Sequence, residues 1–395
     1  MSATVDATRP GGLLAPRYGS GSLADLLPST LAALGVPGDD PLGLADGTLA
    51  GVRSAVVLLV DGLGYHQLRT AAPVAPGLAA ALAGRAGVLS SLTSAFPSTT
   101  PTSLVTVGTG APPGQHGVVG FTVLVPGTDR TITHITWDAD VDPRRWQPLD
   151  TQFDRATAAG VAAVATGSPK FAESGLTVAA YRGAGYRGAQ DVPETVAAVL
   201  AALREPGRSL VYAYHPDVDR VAHLDGPDSP EWLTEAAVAD ELITGIAAGL
   251  PADAALLVTA DHGAVAVRDT DRIDIDGLPG LLAGTRVVTG EPRVRYVHVE
   301  PGATADILAA WQETLGDRAL VLSRDEAVAT GWYGPVTAAA AARIGDVVAV
   351  ATGRHVLVRT GAEPYESGFR GYHGALTEAE VAVPLLVLRP GELTR

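Results

Sequence analysis

The chain has 395 residues, 47% of them hydrophobic and 18% charged, enough to bury a large core and too apolar for a disordered protein. Its 43 acidic and 28 basic residues leave a net charge of −15, which excludes sequence-independent binding to nucleic-acid backbone, while a small phosphate substrate stays open if metal ions supply local positive charge. Cysteine is absent, so disulfides and thiolate metal sites are excluded, and any metal must be held by oxygen and imidazole.

Residues 1–22 are rich in Gly and Pro and are expected as a flexible surface arm ahead of one large α/β domain, 23–395. They lack the basic start and apolar centre of a secretory signal, and no apolar run reaches the roughly 20 residues that span a bilayer. A cytoplasmic protein without membrane contact is expected. Leu23 to Leu34 reads as a short helix. Ala55 to Val60 (AVVLLV) is a continuous apolar run, as in a central parallel strand buried on both faces, and it ends in Asp61-Gly62. Helical structure to Ala83 and a strand over Gly87 to Leu92 follow. That strand leads into SAFPSTTPTSLVTVGTG, where Thr99 and Thr100 stand at a strand-to-helix junction. Such a junction offers unpaired backbone N–H groups and favours negative charge, although Ser or Thr there is commonly only a cap.

Phe121 to Val125 and Thr131 to Trp137 flank PGTDR and predict a hairpin, with Asp138 to Asp150 a polar loop over one edge of the site. The α/β alternation then resumes with a helix over Thr151 to Ala159, a strand over Val161 to Thr166 and a helix over Val192 to Leu203. Next come the strand Ser209 to Tyr214, the helix Glu231 to Leu250 and the strand Ala254 to Thr259. Thr285 to Thr289 and Val294 to Val299 read as short strands and Ala303 to Leu315 as a helix. Asp346 to Ala351 and His355 to Arg359 are expected to pair, and a last apolar strand closes the chain. This alternation predicts a mostly parallel central sheet with helices on both faces and a small hairpin insert near the site. Ligands in such folds bind beyond the carboxyl ends of the strands.

The polar turns at those strand ends carry Asp61, then Thr99 and Thr100, then Asp219 with His223, then Asp261 with His262; His373 lies in a Gly-rich loop before the last strand. Each alone is an ordinary turn or surface residue. Asp219 and His223, four apart, share one face of a helical turn. Together, three carboxylates, three imidazoles and a hydroxyl at one sheet edge are the donor types of a two-metal oxygen/nitrogen site.

These motifs resemble the alkaline phosphatase superfamily, and within it the type I phosphodiesterases and nucleotide pyrophosphatases, from Val56 to Leu388. The resemblance is carried by Asp61-Gly62, by Phe96-Pro97-Ser98-Thr99-Thr100 followed by Thr109-Gly110 and His116-Gly117, by Asp219, His223, Gly226 and Pro227, by Thr259-Ala260-Asp261-His262-Gly263, and by Gly371 to Gly374. It implies an alkaline-phosphatase-like fold and a hydrolase of phosphodiester or nucleotide pyrophosphate bonds that works through a phosphothreonine on Thr100. It further implies one metal held by Asp61, Thr100, Asp261 and His262 and a second held by Asp219, His223 and His373. Zinc suits these ligands, and manganese or iron also fit. The implied partner is a small phosphate ester or nucleotide.

A second register, aligning Pro101 with the family's proline, makes Thr99 the nucleophile. Phosphomonoesterases and phosphonate hydrolases share the same centre, and a non-catalytic metal-binding protein of this fold is the remaining alternative. The family's Pro-Asn after the nucleophile is Thr102-Ser103 here, so Ser103 is a candidate to hold a phosphoryl oxygen in its place. Sulfatases are disfavoured, because the loop lacks their Pro-x-Arg context. His66, His134, His298 and His355 read as surface or structural residues, and His116 as a support for the nucleophile loop. His215 stands next to the 219–223 motif. Trp137, Trp146 and Tyr372 are candidates to stack on a base or aryl group, with packing the commoner use.

Overall fold

The computed structural model describes residues 12–393. Its centre is a seven-stranded sheet in the spatial order Val88–Thr93, Ala382–Leu388, Ala254–Thr259, Ser54–Val60, Arg208–His215, Val161–Gly167, Gly185–Gly188. The apolar run expected to be buried on both faces is the middle strand, and all seven of its residues are buried. One group of helices (Gln67–Ala71, Pro76–Leu82, Val192–Leu203, Pro230–Ala248) packs together over the sheet. A second group (Leu26–Ala33, Thr100–Thr109, Gln152–Ala158, Gly175–Tyr181) packs separately from it.

Register decides where the polar turns meet. Val60 pairs with His215 and Leu59 with Thr259, so these three strands finish level with one another. The last strand, Ala382–Leu388, is antiparallel to both its neighbours. Two reversals leave Val88–Thr93 parallel to the rest, so the turn after it opens on the same edge. The antiparallel strand also begins at that edge, which brings the preceding loop with His373 to the strand ends that carry the other candidates.

A smaller antiparallel sheet is formed by Thr285–Glu291, Val294–Val299, Val347–Ala351 and Ala319–Ser323, with the helix Thr304–Leu315 against it. It has its own apolar cluster around Trp311, Leu315 and Ile307. The expected pairing of 346–351 with 355–359 does not occur. Val347–Ala351 lies between Val294–Val299 and Ala319–Ser323, while Val356–Val358 pairs in parallel with Arg272–Asp274. The strand Ala319–Ser323, unanticipated from the sequence, is the partner that displaces it.

The predicted hairpin forms over Thr122–Leu124 and Thr131–Thr133. The segment 138–150 does not cover the site. It contains a short helix, Pro143–Trp146, packs on Gly175–Tyr181, and has Trp146 against the Arg343 guanidinium at 3.7 Å. Of the expected flexible arm, residues 1–11 lie outside the described residues. Residues 12–22 are pinned: Leu13 bridges Thr377, the Arg17 N–H donates to Thr93 Oγ1 at 2.8 Å, and Tyr18 Oη donates to the Trp332 carbonyl at 2.9 Å. No helix of the described residues is long and apolar enough to cross a membrane.

Candidate active site

The helix Thr100–Thr109 is buried along its whole length, with Thr99 at its N-cap, Pro101 in its first turn and left-handed Gly110 ending it. Its start is laced to the His373 loop: the Ser98 N–H donates to the Gly374 carbonyl at 2.9 Å and Ser98 Oγ to the Ala375 carbonyl at 2.7 Å. His116 meets Thr106 Oγ1 through Nε2 at 2.9 Å and accepts from the Val118 N–H at 3.1 Å, so it braces this helix from behind. Thr100 is the residue whose hydroxyl enters the cluster, with Oγ1 3.2 Å from His262 Nε2.

Around that hydroxyl, His262 Nε2 lies 3.5 Å from Asp61 Oδ1 and 3.3 Å from Asp261 Oδ2. A second group adjoins it, with His223 Nε2 3.1 Å from Asp219 Oδ2 and 3.2 Å from His373 Nε2, and His373 Nε2 3.8 Å from Asp219 Oδ1. His262 stacks on His373 with ring centres 3.5 Å apart, so it borders both groups, and the donor atoms of Asp219, His262 and His373 also lie within 4.8 Å of one another. All seven sequence candidates are therefore in one place. Gly62 permits this approach: its φ is +73°, and a Cβ there would stand 2.8 Å from Asp219 Cβ.

The orientation of the ligand atoms carries the chemistry. Each imidazole directs Nδ1 to a backbone carbonyl, His262 to Gly263 at 3.1 Å, His223 to Gly371 at 2.8 Å and His373 to Ser98 at 2.9 Å. Donation from Nδ1 leaves the Nε2 lone pairs facing one another and the carboxylates. Asp61 Oδ1, Asp219 Oδ1 and Asp261 Oδ2 are buried with no hydrogen-bond partner. Burial and the charges of Asp261 and Asp219 push the Asp61 carboxyl well above its usual range, and burial also raises Asp261. Against burial, His223 and His373 hold Asp219 low, while burial and His262 push His373 down. Despite its burial, His223 is raised by Asp219. Orphaned carboxylate oxygens gathered with imidazole Nε2 atoms in a buried site are unfavourable alone and complementary to divalent cations. The donor set, oxygen and nitrogen without sulfur, fits the metals expected from the sequence.

Two cavities flank this cluster. One, of about 450 Å³, is lined by Asp61, Thr100 and Asp219 and walled by aromatics, among them Phe121, Phe171, Tyr212, Tyr214 and Phe369. The other, of about 670 Å³, is lined by the predicted hairpin and by the smaller sheet, and both cavities are bordered by His223 and His373. The aromatic wall escaped the sequence reading, because its members are scattered along the chain and share no motif. Tyr214, whose hydroxyl donates to Asp61 Oδ2, had one signal: it stands two residues before the turn at the end of an apolar strand.

Other candidates are occupied elsewhere. Ser103 Oγ is hydrogen-bonded to Ser94 Oγ at 3.0 Å, and Ser94 Oγ in turn bonds the Asp261 carbonyl, so the Ser103 hydroxyl already has a partner beside the cluster. His215 pairs with Glu235 at 3.0 Å, and neighbouring Asp217 is held by Arg220 at 2.8 Å. His134 is a structural residue between the Gly120 carbonyl and the Trp146 N–H, and Trp137 and Trp146 are packed against it.

This fold and this cluster define a class, and the sequence signature of the type I phosphodiesterase / nucleotide pyrophosphatase family covers residues 55–376. The chain belongs to that family. No curated protein matches it. Among solved structures it resembles murine ectonucleotide pyrophosphatase / phosphodiesterase 5, with 18% identity, a TM-score of 0.69, and coverage of 85% of this chain and 88% of that one. An inactive threonine-to-alanine form of that murine protein, solved with AMP, matches with a TM-score of 0.67 and 18% identity over 84% of this chain and 87% of that one. Phosphonoacetate hydrolase from Sinorhizobium meliloti 1021, in complex with phosphonoformate, matches with a TM-score of 0.67 and 20% identity over 86% of this chain and 91% of that one. At these identities the likeness is one of fold.

Proposed function

We propose that this chain is a two-metal phosphodiesterase or nucleotide pyrophosphatase that attacks phosphorus with Thr100 Oγ1 and passes through a phosphothreonine. The observation that carries the reading is the Thr100 hydroxyl set 3.2 Å from His262 Nε2 beside the orphaned oxygens of Asp61 and Asp261. Asp61, Thr100, Asp261 and His262 would hold one ion, and Asp219, His223 and His373 the other. Bound there, divalent ions, zinc first and manganese or iron next, would supply Lewis-acid activation of the hydroxyl and neutralise phosphoryl charge.

The chain's own contribution is position. Thr100 sits at the buried start of a helix, so its hydroxyl is held at one point and backbone dipoles favour the anionic phosphoryl group. Tyr214 fixes the Asp61 carboxylate, and the three backbone carbonyls fix the imidazole tautomers. Thr99 faces the other cavity, which supports Thr100 as the attacking residue. A diester has two substituents, and this cluster has a cavity on each side; a monoester would leave one of them empty. The inactive threonine-to-alanine form of the murine neighbour agrees with a threonine nucleophile. We treat 23–395 as one catalytic domain, because the smaller sheet supplies a wall of the site.

The test is hydrolysis of bis-p-nitrophenyl phosphate beside p-nitrophenyl phosphate, on chelated protein reloaded with zinc or manganese. Preference for the diester, restored by metal and abolished in Thr100→Ala with metal binding retained, is the expected result. Preference for the monoester, or for a phosphonate, would move the protein to those branches of the superfamily. Full activity in Thr100→Ala would refute the assignment.

A further inference from the structure

Glu291 belongs to no motif and lies at the tip of the hairpin Thr285–Glu291 and Val294–Val299, which reaches from the smaller sheet toward the His373 loop. Its side chain is 5% exposed, and neither carboxyl oxygen has a hydrogen-bond partner. The Thr99 hydroxyl beside it is fully buried and equally unpartnered. Both residues line the 670 Å³ cavity, together with His223 and His373. The side chain packs closely on Gly374, where a Cβ would meet Glu291 Cγ at 3.0 Å. A buried carboxyl and hydroxyl without partners are costly unless a ligand completes them.

We propose that this cavity receives the departing half of the substrate, and that Glu291 with Thr99 recognises an uncharged, hydroxyl-bearing alcohol there. The inference rests on the phosphodiester reading above: Asp61, Thr100 and Asp219 border only the aromatic cavity, whereas His223 and His373 border both, so in-line attack by Thr100 sends the departing oxygen toward the 670 Å³ cavity. The chemistry of the wall selects the class. Burial pushes Glu291 up to about 8, although the Thr99 hydroxyl and the Phe121 N–H, both near but short of proper hydrogen-bond geometry, and the Arg295 charge all favour its ionised form. A carboxyl held neutral offers one donor and one acceptor, the complement of a hydroxyl. The cavity's two arginines are already paired, Arg286 with Asp129 at 3.0 Å and Arg359 with Asp276 at 3.0 Å, and Glu363 and Glu366 also line it. A highly charged leaving group such as pyrophosphate therefore finds no free countercharge, and a polyol finds hydroxyls on Thr122, Thr131 and Thr133.

The experiment compares three compounds that share one retained half: the glycerol ester of thymidine 5′-phosphate, its 1-propyl ester, and thymidine triphosphate, which departs as pyrophosphate. On the metal-loaded enzyme, kcat/KM for the glycerol ester should exceed that for the propyl ester by about 10- to 100-fold, the discrimination of a buried polar pair against an analogue lacking its partner. Glu291→Leu should lower kcat/KM for the glycerol ester and bring the two esters to near equality, with circular dichroism and the melting temperature reporting that the variant is folded. Glu291→Gln, which keeps a donor and an acceptor, should retain most of the preference. Equal rates in the wild type, a preference that survives Glu291→Leu, or a fall in triphosphate turnover in that variant as large as that of the glycerol ester would overturn the assignment. Lack of turnover of these compounds and of bis-p-nitrophenyl phosphate would instead defeat the hydrolase reading. The ratio of dissociation constants of the two esters for Thr100→Ala, by calorimetry, judges the cavity independently of turnover.

Discussion

Arg293 and Glu380 form an ion pair at 2.6 Å with both side chains fully buried, and they clamp the smaller sheet to the loop that carries His373. The guanidinium spends Nε on Glu380 Oε1 at 2.9 Å, gives a further bond to the Gly353 carbonyl at 2.9 Å and another to the His355 carbonyl. Glu380 in turn accepts from the Ala375 N–H at 2.9 Å and from Thr377 Oγ1, and its own carbonyl accepts from the Gly263 N–H at 2.8 Å. Replacing Arg293 by Met keeps much of the volume but leaves a buried carboxylate with only two donors. Summing every lost bond would overstate the cost, since folding had already desolvated both charges. The expected loss of stability is about 3–5 kcal/mol, the range for removing one partner of a buried pair. Urea denaturation of the single and double variants measures it. Arg293→Met with Glu380→Met should recover part of the loss, because no charge is then left unpaired. A single variant within about 1 kcal/mol of wild type, or a double variant whose loss equals the sum of the two singles, would show that the pair is not the clamp described here. Zinc affinity should fall in the same single variant, because the His373 loop loses its anchor.

Tyr214→Phe removes the donor that orients the Asp61 carboxylate, and metal affinity should fall by about 10- to 100-fold, the usual effect of losing a partner behind a ligand; competition with a chelating dye reads it, and unchanged affinity would mean that Asp61 is held by other contacts. Glu291→Gln tests the neutral carboxyl by pH. With the folded-state value raised from 4.5 to about 8, Glu291 contributes stability that is fully present below pH 4.5 and lost as pH rises through about 8. Melting temperatures of wild type and Glu291→Gln, which cannot ionise, should therefore diverge in favour of the variant between pH 5 and pH 8.5. A difference that stays constant across that window would show that Glu291 is ionised throughout.

Six of the seven strands of the central sheet and the seven clustered residues were legible in the sequence because they are local signals, while the edge strand Gly185–Gly188, half of it glycine, left none. AVVLLV before Asp61 and AALLVT before Ala260-Asp261-His262 each announce a buried strand and the turn it feeds, and the parallel register follows from the alternation with helices. What stayed hidden is long-range. Ser103 reads as a substitute for the missing Asn, and only tertiary packing shows it turned toward Ser94, nine residues away in sequence. The aromatic cavity joins residues from Phe121 to Phe369, and its pattern exists only after folding. The pairing of 347–351 depends on Ala319–Ser323, a strand too short and too mixed to stand out among helical neighbours. Glu291 is the sharpest case. A glutamate at the end of an apolar strand, before Pro292-Arg293, reads as the exposed start of a turn, yet the turn is buried because Arg293 has a partner 87 residues later. The division has a physical cause. The seven clustered residues sit at fixed strand ends and so leave short motifs, whereas the groups that wall the two cavities need only reach the same space, and any element that packs there can supply them.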